Sequence, residues 1–308
     1  MVGVACIVWG AEAFAEHLSV AAVRLGVSAF ALAILLAGAE PEELATTVTA
    51  SLRHAPGIAF GDVIGANIAI CLVALGVGAI LSPLPFGPSV LRYGVLGLPL
   101  AVVAAAFAWE GSVSRVEGII LVSLYAAYIA VIWLAERHPP ALGETAELTE
   151  AETESGGGQR RVGKELGFIV AGVAAMAIGA VLVVDGARHL SHVESTQTRL
   201  GLILVGFATA FELVVLAWSA ARRGVSDAVV AGVVGSFAYN VTMSLGAGAL
   251  ARPLHITHPG QLHGPWVAMV AVLIAALALA APRRRLGTAS GWILLAAYPL
   301  VAITVLAR

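Results

Sequence analysis

The stretch that decides the fold is GIAFGDVIGANIAICLVALGVGAILS at residues 57–82, in which Asp62 is the single charged side chain. An α-helix of about 20 apolar residues crosses roughly 30 Å of hydrocarbon. Similar runs recur along the 308-residue chain, which is 59% hydrophobic and 12% charged. Soluble domains usually carry about 25% charged residues, so this composition predicts an all-α membrane protein.

Apolar segments long enough to cross a membrane are separated by glycine, proline or basic residues. Ten spans are predicted, at residues 1–22, 26–52, 57–82, 89–109, 115–136, 165–188, 198–221, 226–250, 265–282 and 289–307. The first of them lacks a basic leading region and contains Glu12 and Glu16. We therefore expect it to be a polar-faced membrane helix rather than a signal peptide.

A polar segment divides the chain into two halves. Residues 137–164 contain five glutamates, three consecutive glycines and then two arginines. This composition is typical of a solvated linker, with cation binding by its glutamates as the alternative. The predicted domains are a five-helix repeat at 1–136, the linker at 137–164, and a second five-helix repeat at 165–308.

The positive charges predict the orientation of the chain in the membrane. The loops on one side hold 11 of the 17 Lys and Arg residues, and the other side holds 6. Because the cytoplasmic side of membrane proteins is enriched in these residues, we predict that linker 137–164 is cytoplasmic. Both termini would then lie outside, and we expect the protein in the cell (inner or plasma) membrane.

The chain also resembles itself at a shift of about 170–176 residues. Four short matches keep their order: Trp9-Gly10-Ala11 with Asp185-Gly186-Ala187, Glu43-Leu44 with Glu212-Leu213, Gly65-Ala66 with Gly235-Ser236, and Leu75-Gly76 with Leu245-Gly246. Copies with an odd number of spans enter the membrane from opposite sides, an arrangement that places a transport site at the repeat interface. Chance similarity among Gly/Ala/Leu-rich helices is the alternative.

The second predicted span contains an acidic motif, Leu36-Ala37-Gly38-Ala39-Glu40-Pro41-Glu42-Glu43-Leu44. Ionisable groups at membrane depth cost several kcal/mol and normally face a cavity or a partner. Proline frees a backbone carbonyl one turn earlier. Carboxylates beside such carbonyls supply the oxygen ligands that Ca²⁺ or Na⁺ needs, so Glu40 and Glu43 are candidate cation-binding residues.

Three other spans carry polar residues that could face the same site. Thr209 lies three residues before Glu212 in the seventh span, so a continuous helix would place both on one face. Asp62 lies in the third span, and Ser236 and Asn240 share a face of the eighth. The alternatives are a helix-end role for Glu212, a position near the interface for Asp62, and simple packing for the neighbouring glycines.

These motifs resemble those of the calcium:cation antiporter superfamily, which includes sodium/calcium and proton/calcium exchangers. Each repeat of that family has a Gly-Thr-Ser-x-Pro-Glu-Leu type motif on its second helix and a Gly-Ser-Asn-x-x-(Asn/Asp) type motif on its third. The sequence at 61–68 is especially similar. The resemblance implies ten helices in two inverted repeats, with Glu43 and Glu212 as essential metal-binding glutamates and Glu40 and Thr209 in place of serines.

The resemblance also implies roles for the third helix of each repeat. The family's serines fall on Ala66 and Ser236, and its amide or acid falls on Ile70 and Asn240. The first repeat thus departs from the family because it lacks the Thr-Ser pair of the second helix and the Ser and final Asn of the third, and it has the extra carboxylates of Glu40 and Asp62. Its proline is also one place early, and the second repeat has none.

Neighbouring carboxylates can share and carry protons, so coupling to H⁺ is as well supported as coupling to Na⁺. The resemblance therefore implies a secondary active antiporter that exchanges Ca²⁺ for Na⁺ or H⁺ without a cofactor, by alternating access around two glutamates. The alternatives are Na⁺/H⁺ antiport without Ca²⁺ and a non-transporting membrane protein that retains the fold.

Other functions and partners are less well supported by the sequence. It contains neither a nucleophile elbow nor a phosphate-binding loop, so an enzyme is not expected. A net charge of −2 gives no signal for nucleic acid. The expected partners are the lipid bilayer and inorganic cations, and a homo-oligomer is compatible with the sequence.

Two further sets of residues have alternative interpretations. His255, His258 and His263 have a spacing that could hold a metal, or they are chemically inert loop residues. A gate or ion-entry role for the acidic residues of spans 1 and 6, including Asp185, competes with a position near helix ends.

Overall fold

The computed structural model describes residues 2–24, 40–136, 162–223 and 226–306, and most of these are helical. Among them, six helices are long and apolar enough to cross a membrane: Pro56–Leu81, Val90–Ala108, Arg115–Leu134, Lys164–Leu190, Gly232–Ala251 and Gly260–Ala280. A shorter apolar helix covers Thr288–Thr304. The chain is therefore a helical membrane protein, as its composition predicts.

The described elements of the first half are α1 (Val2–Arg24), α2 (Pro41–Leu52), α3 (Pro56–Ala69), α4 (Leu75–Leu81), β1 (Leu84–Pro85), α5 (Pro88–Ala108), β2 (Ser112–Val113) and α6 (Arg115–Glu136). A π-helical turn at Ile70–Ala74 joins α3 to α4, so the two form one continuous helix.

The described elements of the second half are α7 (Val162–Leu190), α8 (Glu194–Leu200), α9 (Gly206–Thr209), α10 (Phe211–Arg223), α11 (Ser226–Tyr239), α12 (Leu245–Ala251), β3 (Leu254–His255), α13 (Gly260–Ala280), β4 (Arg285–Leu286) and α14 (Thr288–Leu306). π-Helical turns at Gly201–Val205 and Asn240–Ser244 join α8 to α9 and α11 to α12.

Several predicted boundaries need correction. Helix α13 begins at Gly260, five residues before the predicted start of its span, so Pro265 lies inside the helix. Of the predicted linker 137–164, residues 137–161 lie outside the described residues, whereas 162–164 already belong to α7. The early part of the second predicted span, residues 26–39, also lies outside the described residues.

Short strands join the two halves in a reciprocal pattern. β1 pairs antiparallel with β4, and β2 pairs antiparallel with β3. The first strand of the first half thus pairs with the last strand of the second half, and the two inner strands pair with each other. The π-helical turns Ile70–Ala74 and Asn240–Ser244 lie 170 residues apart, at the shift of the sequence repeat.

Close glycine contacts follow the same reciprocal pattern. A Cβ at Gly291 in α14 would lie 2.8 Å from the carbonyl oxygen of Gly76 in α4. A Cβ at Gly118 in α6 would lie 2.8 Å from the carbonyl oxygen of Gly246 in α12. Gly246 lies 170 residues after Gly76, so each half uses the same kind of contact against the other. Backbones approach this closely only where side chains are absent.

The centre of the molecule is formed by the third helix of each half. Within their most apolar windows, 89% of Pro56–Leu81 and 83% of Gly232–Ala251 are buried, against 28–44% for the other candidate spans. Gly61 and Gly65 of α3 lie against the backbone of Leu202, which brings the two halves into contact beside these central helices.

Candidate cation-binding site

The acidic motif of the first half lies where a helix begins. Pro41 is the first residue of α2, and Glu40 before it has a non-helical backbone with φ −120° and ψ 80°. Glu42 and Glu43 occupy the first turn of α2 and are 3% and 1% exposed. The unpaired amides of a first turn favour negative charge, so the local structure stabilises carboxylates at this place.

The second half has an equivalent interruption. Helix α9 ends at Thr209, Ala210 forms a turn, and α10 begins at Phe211 with half-buried Glu212 in its first turn. The common helical face of Thr209 and Glu212 stays a prediction, since the turn at Ala210 interrupts the helix while that residue keeps a helical backbone, with φ −68° and ψ −8°. Each half nevertheless places its glutamate directly after a helix start.

Asp62 links the two halves at a buried cluster. The hydroxyl of Thr209 donates to Asp62 Oδ1 at 3.1 Å, and the hydroxyl of Thr47 donates to Asp62 Oδ2 at 3.3 Å. Glu43 lies in hydrogen-bonding contact with both Asp62 and Thr209. All four side chains are 2% exposed or less, so two carboxylates share a small, water-poor space with two hydroxyls.

Glu40 forms a second contact between the halves. The hydroxyl of Ser236, which is fully buried in α11, donates to Glu40 Oε1. Glu42 lies in hydrogen-bonding contact with Glu40, and the charge of Glu212 also acts on Glu40. The carboxylates of both halves therefore influence one another electrostatically.

Asn240 lies beside the side-chain amide of Asn67, which is not among the site residues predicted from the sequence. Its Nδ2 donates to Asn67 Oδ1 at 3.4 Å, and Asn67 Nδ2 donates to the carbonyl oxygen of Phe237 at 3.5 Å. The expected counterpart of Asn240 in the first half, Ile70, is a buried apolar residue at the start of a π-helical turn. Asn67, not Ile70, provides the amide that faces Asn240.

Within the described part of the chain, the buried carboxylates of the first half have no positively charged partner. In the described ranges, none of the following forms an ion pair with Lys, Arg or His: Glu40, Glu42, Glu43 and Asp62. Buried polar atoms of the same helix, Glu43 Oε2 and Thr46 Oγ1, also lack a hydrogen-bond partner among the described residues. Burying an unpaired carboxylate is costly, so these groups require a bound cation or a proton.

The donor set determines which ions the site could hold. No group of three or more His, Cys, Asp or Glu side chains in the described chain is arranged to hold a metal ion. A site on Glu43 and Glu212 would therefore also need neutral oxygens, such as those of Thr209, Ser236 and the backbone at the helix starts. Hard cations such as Ca²⁺ and Na⁺ accept such ligands, whereas Zn²⁺ prefers nitrogen and sulfur.

The other candidate residues lie away from this cluster. His263 donates from Nε2 to the carbonyl oxygen of Trp109 at 2.9 Å and stacks on its ring, while His255 is exposed in β3. Asp185 pairs with Arg53 at 3.2 Å and so ties the end of α7 to the turn after α2. Neither set meets the buried carboxylates in hydrogen bonds or ion pairs among the described residues.

The profile of the sodium/calcium exchanger protein family matches residues 1–134 and 164–307. The chain belongs to the sodium/calcium exchanger family. This match confirms the expected place in the calcium:cation antiporter superfamily. The family consists of ion exchangers, not enzymes, and its members transport Na⁺ and Ca²⁺ without a cofactor.

Individual relatives of this family cover most of the chain. An uncharacterized membrane protein of Methanocaldococcus jannaschii is 27% identical over 96% of this chain and 90% of its own length. The sodium/calcium exchanger MaX1 of Methanosarcina acetivorans is 27% identical over 83% of both chains. The solved sodium-calcium exchanger NCX_Mj, in crystals soaked with 10 mM Na⁺ and no Ca²⁺, has the same fold. It gives a TM-score of 0.64 at 24% identity and covers 98% of this chain and 96% of its own.

Three residues among the buried polar side chains of the candidate site were not predicted from the sequence as site residues. Glu42 lies inside the quoted acidic motif, yet only the fold brings it to Glu40. Thr47 lies four residues after Glu43, a helical spacing that could have revealed it. Asn67 lies within the family-like stretch 61–68, where its contact across the halves has no signal in one sequence.

Proposed function

We propose that this exchanger-family chain is a secondary active cation antiporter that exchanges Ca²⁺ for Na⁺ or H⁺. The supporting observation is the group of buried first-half carboxylates without a basic partner in the described ranges. Such charges are tolerated in a membrane interior when a cation or proton neutralises them. An obligatory exchange follows, since one ion can leave only when another takes over its charge balance.

The proposed ion-binding residues are divided between the halves. Glu43 and Glu212 would bind the exchanged ions directly, each from the first turn of a helix. Glu40 and Asp62 would add negative charge, and neutral oxygens would come from the following second-half residues: Thr209, Ser236 and Asn240. Carboxylate, hydroxyl and amide oxygens of this kind are the ligands that hard cations such as Ca²⁺ prefer.

We further propose the scaffold and orientation of this antiporter. The reciprocal strand pairs and glycine contacts support two five-helix repeats of inverted topology, which together make ten membrane helices. Alternating access would then arise from movement of helix groups around the site at the repeat interface. The excess of positive charge supports a cytoplasmic segment 137–164 and outward-facing termini in the cell membrane.

Isotope flux in proteoliposomes tests this function. We expect radioactive Ca²⁺ to accumulate when an outward Na⁺ or H⁺ gradient is imposed, and to remain outside without a gradient. Movement of Na⁺ against H⁺ with no Ca²⁺ uptake would instead identify a Na⁺/H⁺ antiporter. Absence of all three fluxes from correctly inserted protein would point to a non-transporting member of the family.

The same assay identifies the coupling ion. If Glu40 carries a proton, Glu40→Gln will remove the dependence of Ca²⁺ uptake on the pH gradient while Na⁺-driven uptake persists. An unchanged pH-driven uptake in this variant would exclude Glu40 as the proton carrier.

A further inference from the structure

A cavity with a mixed polar and apolar lining, here called the outer cavity, lies apart from the buried carboxylates. It has a volume of about 830 Å³ and lies between α8, the start of α13 and the end of α14. Its lining includes Ser195, Thr198, Arg199, His258, Gln261 and Thr304. This volume is within the usual range for small-molecule sites.

The charged groups of this outer cavity are basic. Its lining contains Arg199 and two histidines, but no Asp or Glu. Glu194 precedes the lining residue Ser195 in the chain, yet its carboxylate accepts hydrogen bonds from the backbone nitrogen and hydroxyl of Thr257 at 2.7 and 2.9 Å. A cavity of this character repels the cations that the buried carboxylates attract, so its ligand must be a different one.

Two donors at the cavity remain available for a ligand. Half-buried Arg199 forms no ion pair or hydrogen bond with any described residue. The Nε2 atom of Gln261 is buried and has no hydrogen-bond partner in the described chain. Leaving a buried donor without a partner is unfavourable, so this amide is free to donate to a ligand oxygen. Thr198, by contrast, already donates to the carbonyl oxygen of Glu194.

We propose that the outer cavity binds an anionic phosphate group, with Arg199 as its charged ligand and Gln261 as a neutral donor. A guanidinium can donate two parallel hydrogen bonds to phosphate oxygens. The cavity is much larger than a free phosphate, and Leu202, Val267 and Ala268 give it an apolar side. These features fit the headgroup and glycerol of an anionic phospholipid, with its acyl chains directed towards the bilayer.

Lipid retention measures this binding directly. The full chain would be purified in mild detergent, incubated with equal amounts of phosphatidylglycerol and phosphatidylcholine, and examined by native mass spectrometry. We expect preferential retention of phosphatidylglycerol by the wild type, and a loss of at least about tenfold in apparent affinity in Arg199→Gln. Gln261→Leu should cause a smaller loss. Arg252→Gln, which removes an exposed arginine outside the cavity, should leave retention unchanged.

Competition with inorganic phosphate distinguishes the two sources of the group. If millimolar phosphate displaces the lipid in the wild type, the cavity accepts the free ion as well. If only phosphatidylglycerol binds, the lipid is the ligand. Equal retention of both lipids, or wild-type retention by Arg199→Gln, would overturn the proposal. Because the readout is bound mass, the result stands independently of ion transport.

Discussion

The two halves of the molecule share one glutamate motif but differ in the side chains around it. At matching places the first half has Glu40 and Asp62, whereas the second has Thr209 and Gly232. Two hydroxyls of the second half donate to carboxylates of the first half, Thr209 to Asp62 and Ser236 to Glu40. The first half therefore supplies most of the buried negative charge, and the second half supplies Glu212 and two hydroxyl donors to that charge. A duplicated fold can thus build one site in which neither copy is sufficient.

The largest expected effect comes from neutralising Glu43 in the first half or Glu212 in the second, each in a separate variant. Glu43→Gln should reduce Ca²⁺ flux at least about a hundredfold, because a charged ligand is lost from a buried site. Glu212→Gln should match it if the halves contribute equally, and a smaller loss would show that the first half dominates. Glu110→Gln, which alters an exposed carboxylate in the turn after α5, is the matched control. Normal flux in Glu43→Gln and Glu212→Gln would contradict the proposed mechanism.

A second test separates the halves physically. A Cβ at Gly65 would collide with the backbone of Leu202, so Gly65→Ala should push the first half away from the second. We expect a loss of about 1–3 kcal/mol of stability, seen as a lower Tm in detergent. Gly97→Ala is the control, since no other atom lies within 4 Å of its Cβ position. Equal Tm values for the two variants would mean that this contact does not hold the halves together.

The smallest expected effect concerns the hydroxyl donors to Asp62. Thr209→Val keeps the side-chain shape but removes the donor from the second half, and Thr47→Val does the same within the first. We expect a roughly threefold to tenfold reduction in flux for Thr209→Val, because it also contacts Glu43. The loss in Thr47→Val should be smaller. A reversed order would show that contact between the halves matters less than the first half alone.

The sequence was sufficient for the class of protein and for most of the helices. Long apolar runs identify the helices because a helix that crosses the hydrocarbon layer needs apolar side chains along its length. Helix α6, for example, covers the predicted residues 115–136. The start of α13 was misplaced because Pro265 suggested a boundary, although the helix accommodates it. Local sequence rules of this kind therefore predict the ends of a helix less accurately than its presence.

The site was predictable as a set of residues but not as a set of contacts. The repeat and the family motif indicated Glu43 and Thr209, and Asp62 was indicated as a carboxylate within an apolar span; the structure places these three together. The turn at Ala210 has no local signature, since the family proline is missing there. The pairing of Asn67 with Asn240 arises only when α3 and α11 pack, which a periodic pattern in one chain cannot report.

The exchanged strands also constrain the order in which this protein matures. β1 and β2 leave the ribosome well before β3 and β4, their partners in the described chain. The first half must therefore wait in the membrane with open strand edges until residues 254–286 have been translated. A polypeptide truncated before Leu254 would lack both partner strands, and we expect quality-control proteases to recognise it as unfinished.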